Sequence, residues 1–149
     1  MFEKEDTLSL TAIQWFNKGY DYDVKEDYEN AVFAYTKAIE LNPKDADAYI
    51  NRGVIYHTQG KYDLAIADYT KAIEFNPQDE DGYSNRGAVY HGQGEYSLAI
   101  GDYDKALELN PKAVDVYVSK LEACEESGLY THSQIEEIKQ KIKELGGSF

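Results

Sequence analysis

The sequence predicts an all-α fold, a superhelical array of antiparallel helix pairs, and three observations predict it. The chain matches itself at a shift of 34 residues: residues 46–79 and 80–113 share 20 of 34 positions, and residues 12–45 share 15 of 34 with the middle block. A fixed period of this size marks stacked units that each need a neighbour to cover an apolar face. The three prolines, Pro43, Pro77 and Pro111, each close a block in an Asn-Pro pair, where proline drives the preceding residue out of helical geometry. Finally, each block holds two apolar patterns at helical spacing separated by a short turn.

Taken in order, residues 1–11 read as a charged lead-in, with Ser9 or Thr7 as a helix cap. In the middle block Tyr49, Gly53 and Tyr56 share one stripe, Gln59-Gly60-Lys61 turns the chain, and Ala65, Tyr69, Ala72 and Ile73 share a second stripe. Small residues at Gly53 and Ala65 let the two helices approach, with Tyr49, Tyr56, Tyr62 and Tyr69 filling the space around the contact. The same set recurs as Gly87, Ala99, Tyr83, Tyr90, Tyr96 and Tyr103, and earlier as Gly19, Ala31, Trp15, Tyr22, Tyr28 and Tyr35. That recurrence accounts for 14 tyrosines beside five phenylalanines: they are repeat core, not a stacking site for a cofactor.

From Val114 a fourth first-helix begins with Tyr117 in phase, but Leu121 replaces the glycine and Cys124 the tyrosine, so the repeat degenerates. After Ser127-Gly128, Thr131 and Gln134 form a capping-box pair, and Ile135, Ile138, Ile142 and Leu145 make an apolar stripe ending at Gly146. Residues 1–149 therefore read as one domain: repeats 12–45, 46–79 and 80–113, then a degenerate first helix and a capping helix over 114–146, which argues for a natural end of the array. In the third repeat Gly82, Gly92 and Gly101 weaken the helices, which makes it the softest of the three.

Composition narrows the function. With 28 Asp and Glu against 15 Lys and Arg the net charge is -13, which repels phosphate backbones and argues against nucleic acid. No run of 18 apolar residues occurs, and MFEKEDTLSL has neither a basic nor an apolar leader segment, so no membrane or export role is expected. A single Cys124 fits a reduced, cytoplasmic setting and supplies no thiolate metal site. His57 and His91 stand 34 residues apart, about one helix diameter of roughly 10 Å in a stacked array, too far to share one ion; they suit the C-terminal ends of first helices. His132 has no evident dyad with Cys124. Neither a phosphate loop nor a metal-spaced His-Glu pair occurs, so the chain reads as a non-enzyme with no cofactor and no metal.

The pattern W-x2-L-G-x2-Y, A-x3-F and P is met by Trp15, Gly19, Tyr22, Ala31, Tyr35 and Pro43, and again by Tyr49, Gly53, Tyr56, Ala65, Tyr69, Pro77 and by Tyr83, Gly87, Tyr90, Ala99, Tyr103, Pro111. Over residues 12–113 the chain thus resembles the tetratricopeptide-repeat (TPR) family, which implies a right-handed superhelix. The consensus Leu is replaced by Lys18, Arg52 and Arg86, and sixteen residues on stand Ala34, Asp68 and Asp102. A half-buried arginine needs a counter-charge, so Arg52–Asp68 and Arg86–Asp102 are expected ion pairs within their repeats.

The resemblance also implies a concave wall built from first helices at repeat positions 2, 5, 6, 9, 12 and 13. Position 6 is Asn17, Asn51 and Asn85, a ladder of amides complementary to the N–H and C=O of a peptide chain. Phe16, Tyr20, Ile50, Val54 and Ala88 offer apolar contacts around it, Asp23, Asp47, Asp81 and Asp115 with Glu122, Glu125 and Glu126 make the wall acidic, and His57 and His91 fall on it too. Such a wall favours a neutral-to-basic protein or peptide partner. Family members that clamp the carboxylate of acidic tails use Lys and Arg here; Phe16, Asp81 and Asn85 stand at those positions and Tyr20 replaces a further Asn, which argues against a clamp. Two functions follow: an interaction adaptor or scaffold binding an extended peptide or partner helix in the groove, or a structural assembly protein forming a homo-oligomer through the terminal helix and repeat edges.

Overall fold

The structure, a computed structural model, describes residues 10–149. They form eight helices and no strand: α1 (Ala12–Val24), α2 (Tyr28–Leu41), α3 (Ala46–Thr58), α4 (Tyr62–Phe75), α5 (Glu80–Gly92), α6 (Tyr96–Leu109), α7 (Val114–Ser127) and α8 (His132–Glu144). The first helices start at residues 12, 46, 80 and 114, the 34-residue step of the sequence. Two compact units divide the chain, one ending at Asn76 and one from Pro77 to Phe149. In the first, α1 packs on α2, α2 on α3, and α3 on α4; in the second, α5 packs on α6, α6 on α7, and α7 on α8.

Local chemistry sets the ends of the helices. Thr11 caps α1 through a capping box with Gln14, and Thr131 caps α8 through one with Gln134. The expected caps Thr7 and Ser9 lie outside the described residues. Asp27, Asp45 and Asp79 cap α2, α3 and α5. Asn42, Asn76 and Asn110 end α2, α4 and α6 with φ of -134°, -135° and -130°, the extended value that a following proline imposes. The turn inside each helix pair needs a left-handed residue, supplied by Gly60 (φ 71°), Gly94 (φ 76°) and Gly128 (φ 64°); in the first pair Glu26 adopts φ 58° in that slot. A non-glycine there carries strain that the sequence pattern did not announce.

Packing inside each pair turns on one glycine and one tyrosine. A Cβ on Gly19 would lie 2.7 Å from the Tyr35 ring, on Gly53 2.8 Å from Tyr69, and on Gly87 2.9 Å from Tyr103. Of the tyrosine positions expected to fill this contact, only that of Tyr35, Tyr69 and Tyr103 is fully buried; Tyr49, Tyr56, Tyr83 and Tyr90 are half-buried and Tyr62 is exposed. The outer tyrosines keep their hydroxyls near water, as Tyr49 does while donating to the Pro43 carbonyl at 3.2 Å.

Both expected ion pairs form. Arg52 grips Asp68 through Nε and Nη2 at 2.8 and 2.7 Å and reaches Thr36 of the preceding pair with Nη1 at 2.9 Å; Arg86 grips Asp102 at 2.8 Å through both nitrogens. Burial works against the charge of Arg52, but Asp68 outweighs it and holds the guanidinium above its ordinary value. In the fourth pair Lys120 instead reaches back to Asp104 of α6 at 2.6 Å, and Ile138 of α8 joins the apolar core. Ile135 and Ile142 of the terminal stripe are buried, as is Cys124; burial raises the Cys124 thiol above its ordinary value.

Candidate functional site

Because each second helix covers one side of its first helix, the remaining side of the first helices forms a wall, α1 with α3 in one unit and α5 with α7 in the other. On the α1–α3 wall Asn17 is exposed and Asn51 half-buried, and on the α5 wall Asn85 is half-buried. The structure therefore brings Asn17 and Asn51 onto one wall and sets Asn85 on the second unit's own wall.

Position 6 has a second role that sequence spacing missed. Burial pushes the Tyr35 hydroxyl up to about 12, Asp23 adds to the rise, and the Asn51 amide beside it partly offsets it. Tyr103, also raised to about 12, is placed likewise: burial and Glu122 raise it, and the Ser119 hydroxyl lowers it. Ser119 occupies position 6 of the fourth repeat, so in the second and fourth repeats this residue stands beside the buried tyrosine of the preceding pair.

The apolar members separate into floor and rim. Ile50 keeps only 9% of its surface and Phe16 packs edge-on against Tyr35 at 5.5 Å, so both belong to the floor rather than to open apolar pockets. The exposed apolar surface is Ile13 (73%), Tyr20 (57%) and Val24 (67%) on α1 with Val54 (38%) on α3. Ile13 and Val24 were not singled out from sequence, although positions 2 and 13 of the repeat register point to them.

The acidic members are positioned by helix ends. Asp47 lies in the first turn of α3, Asp81 in that of α5 and Asp115 in that of α7, where carboxylates suit the dipole. Partial burial raises the Asp23 carboxyl above its ordinary value. On the second unit's wall Glu122 and Glu126 are exposed, while Glu125 is tied to Lys139 at 3.0 Å. His57 and His91 sit in the last turns of α3 and α5, each edge-on to the tyrosine that opens the next helix, Tyr62 at 5.8 Å and Tyr96 at 5.7 Å. His91 Nε2 lies 3.0 Å from Glu126 Oε2. No Lys or Arg occupies any of the six wall positions in the four first helices.

A family model described as TPR repeat matches residues 19–60 and 55–94, and one described as tetratricopeptide repeat matches 80–113. No curated protein matches the sequence. Among solved structures, the first TPR of Spaghetti (RPAP3) bound to the HSP90 peptide SRMEEVD is 26% identical, covering 78% of this chain and 92% of that one at a TM-score of 0.76. MamA is 25% identical over 91% of this chain and 78% of that one at 0.85. The Arabidopsis OM64 TPR domain is 26% identical over 78% of this chain and 96% of that one at 0.75. Among the described residues no helix is long and apolar enough to cross a membrane.

Proposed function

The chain belongs to the tetratricopeptide-repeat family, and from that premise we propose that it is a non-catalytic interaction module, an adaptor whose first-helix walls hold a neutral-to-basic peptide or partner helix. The observation that carries this reading is the composition of the walls: Asn17, Asn51 and Asn85 with Asp23, Asp47, Asp81 and Glu122, and no Lys or Arg at any wall position. Amides pair with a ligand's backbone, and carboxylates select cationic side chains and repel anionic ones. The Spaghetti repeat was solved with an acidic peptide, SRMEEVD. This chain lacks the basic residues that would answer such a ligand, since Phe16, Asp81 and Asn85 stand where they are needed. A single repeat domain working in a cytoplasmic setting completes the reading, consistent with one buried Cys124.

Self-assembly through the terminal helix is less well supported. Its apolar stripe is spent on the core, with Ile142 wholly buried and Ile138 packed beside it; replacing Ile138 and Ile142 by Lys would unfold that end rather than test association.

Two labelled, end-blocked peptides of equal length and apolar content, one carrying lysines and one glutamates, test the proposal by fluorescence anisotropy. The lysine peptide should bind, more weakly as salt rises, and lose affinity to an Asn51→Ala, Asn85→Ala variant whose helicity is unchanged. Equal or tighter binding of the glutamate peptide would overturn it.

A further inference from the structure

The wall of the first unit carries more than a charge preference, because its exposed apolar side chains run in a line along a helix. Ile13, Tyr20 and Val24, with Asn17 between them, follow steps of four, three and four residues and so share one face of α1. All three are more than half exposed, an apolar ribbon about 16 Å long at 1.5 Å per residue. An extended peptide held by Asn17 and Asn51 crosses from α1 to α3 and meets this ribbon at one point only. A helix laid along α1 meets all of it, setting its own i, i+3, i+4 and i+7 side chains against Ile13, Tyr20 and Val24. The charges agree with that geometry: at 100° per residue Asp21 flanks the ribbon on one side and Asp23 on the other, with Asp47 on α3 beyond.

We propose that α1 docks an amphipathic helix of a partner protein, one whose apolar stripe is bordered on both sides by Lys or Arg, along Ile13, Tyr20 and Val24. This rests on the interaction-module reading above and narrows it: the ligand of the first unit is a basic helix, not an extended strand. Asp21 and Asp23 then act as the two rims that fix its rotation, as flanking charges do in helix pairing, while Asn17 contributes one amide inside the apolar seam.

The test uses two labelled peptides of about 14 residues, long enough to cover the ribbon. One is a Leu/Lys sequence with leucines at helical spacing; the other has the same composition with its periodicity broken by two central prolines. Each is titrated at physiological salt against the full chain, a Tyr20→Ser, Val24→Ser variant, and an Asn51→Ala, Asn85→Ala variant, with circular dichroism and mass checked for each protein. Both Tyr20 and Val24 are exposed, so the first variant stays folded. The helical peptide should bind the Tyr20/Val24 variant at least about tenfold more weakly than the native chain. Undiminished binding to that variant would mean charge attraction alone and would overturn the proposal. Equal binding of the proline peptide, lost in the Asn variant, would also overturn it while leaving the extended-peptide reading standing; binding of neither peptide would bring down both. A native chain that dimerises through this face, and a Tyr20/Val24 variant that is monomeric, would replace the partner helix by a second copy.

Discussion

Replacing Asp68 by Ala strips the half-buried Arg52 of its counter-charge. The Asp68 side chain is 7% exposed and that of Arg52 16%, and two hydrogen bonds of 2.7 and 2.8 Å join them. Removing one partner of such a pair typically costs about 3–5 kcal/mol, because the other charge is left desolvated. Arg52 keeps its bond to Thr36 at 2.9 Å and some access to water, which places Asp68→Ala near the lower end, about 3 kcal/mol. The double variant Arg52→Leu, Asp68→Ala removes both charges and puts an apolar side chain where the repeat pattern has Leu, beside an Ala such as the first repeat already carries at Ala34. It should lie within about 1 kcal/mol of the native chain or above it. Urea unfolding followed by circular dichroism, with amide exchange read in α3 and α4, measures all corners of the cycle. A cost below about 0.5 kcal/mol for Asp68→Ala would show the pair behaving as an exposed one. A double variant as unstable as the two singles summed would show that packing, not charge pairing, sets the energetics at this site.

Further outcomes follow from the same packing. Glu26→Gly relieves a left-handed residue at φ 58° and should stabilise by about 0.5–1 kcal/mol in thermal unfolding, as should Gly101→Ala, whose new Cβ meets open space in α6; amide exchange in the third repeat should be faster than in the second and slow down in the Gly101 variant. Gly53→Ala drives a Cβ to within 2.8 Å of the Tyr69 ring and should lose about 1–3 kcal/mol, a loss that Tyr69→Leu in the same chain would partly restore. The Tyr35 and Tyr103 hydroxyls are raised from 10.0 to about 12, so the folded state holds protons that the unfolded chain releases; this stability is whole below pH 10 and lost as pH rises through 12. Ultraviolet titration should therefore show Tyr35, Tyr69 and Tyr103 ionising only as helicity collapses, and Tyr69→Phe, which removes a buried hydroxyl with no hydrogen-bond partner among the described residues, should leave stability unchanged or raise it.

Much of the fold was legible because it repeats. Helical period, Asn-Pro stops and the glycine turns are local signals, and three copies in register reinforce one another, so the starts of α1, α3, α5 and α7 fell at the block boundaries. The Arg52–Asp68 and Arg86–Asp102 pairs could be read as well, since a residue sixteen places on lies opposite in an antiparallel pair. Exposure along the first-helix walls was not legible. Ile50 and Ile13 are both isoleucines at wall positions, yet one is buried and the other open, because burial depends on what the neighbouring helix brings up against each.

The sequence by itself determined the repeat, the helix boundaries and the all-α class, which depend on residue type and spacing along one chain. Only the tertiary structure decided that Asn51 and Ser119 sit beside buried tyrosine hydroxyls, that the terminal isoleucines are consumed by the core, that Lys120 turns back to Asp104, and that Ile13, Tyr20 and Val24 stand open in a line. Those facts depend on the packing of side chains from different helices in three dimensions, where distance along the chain no longer measures distance in space.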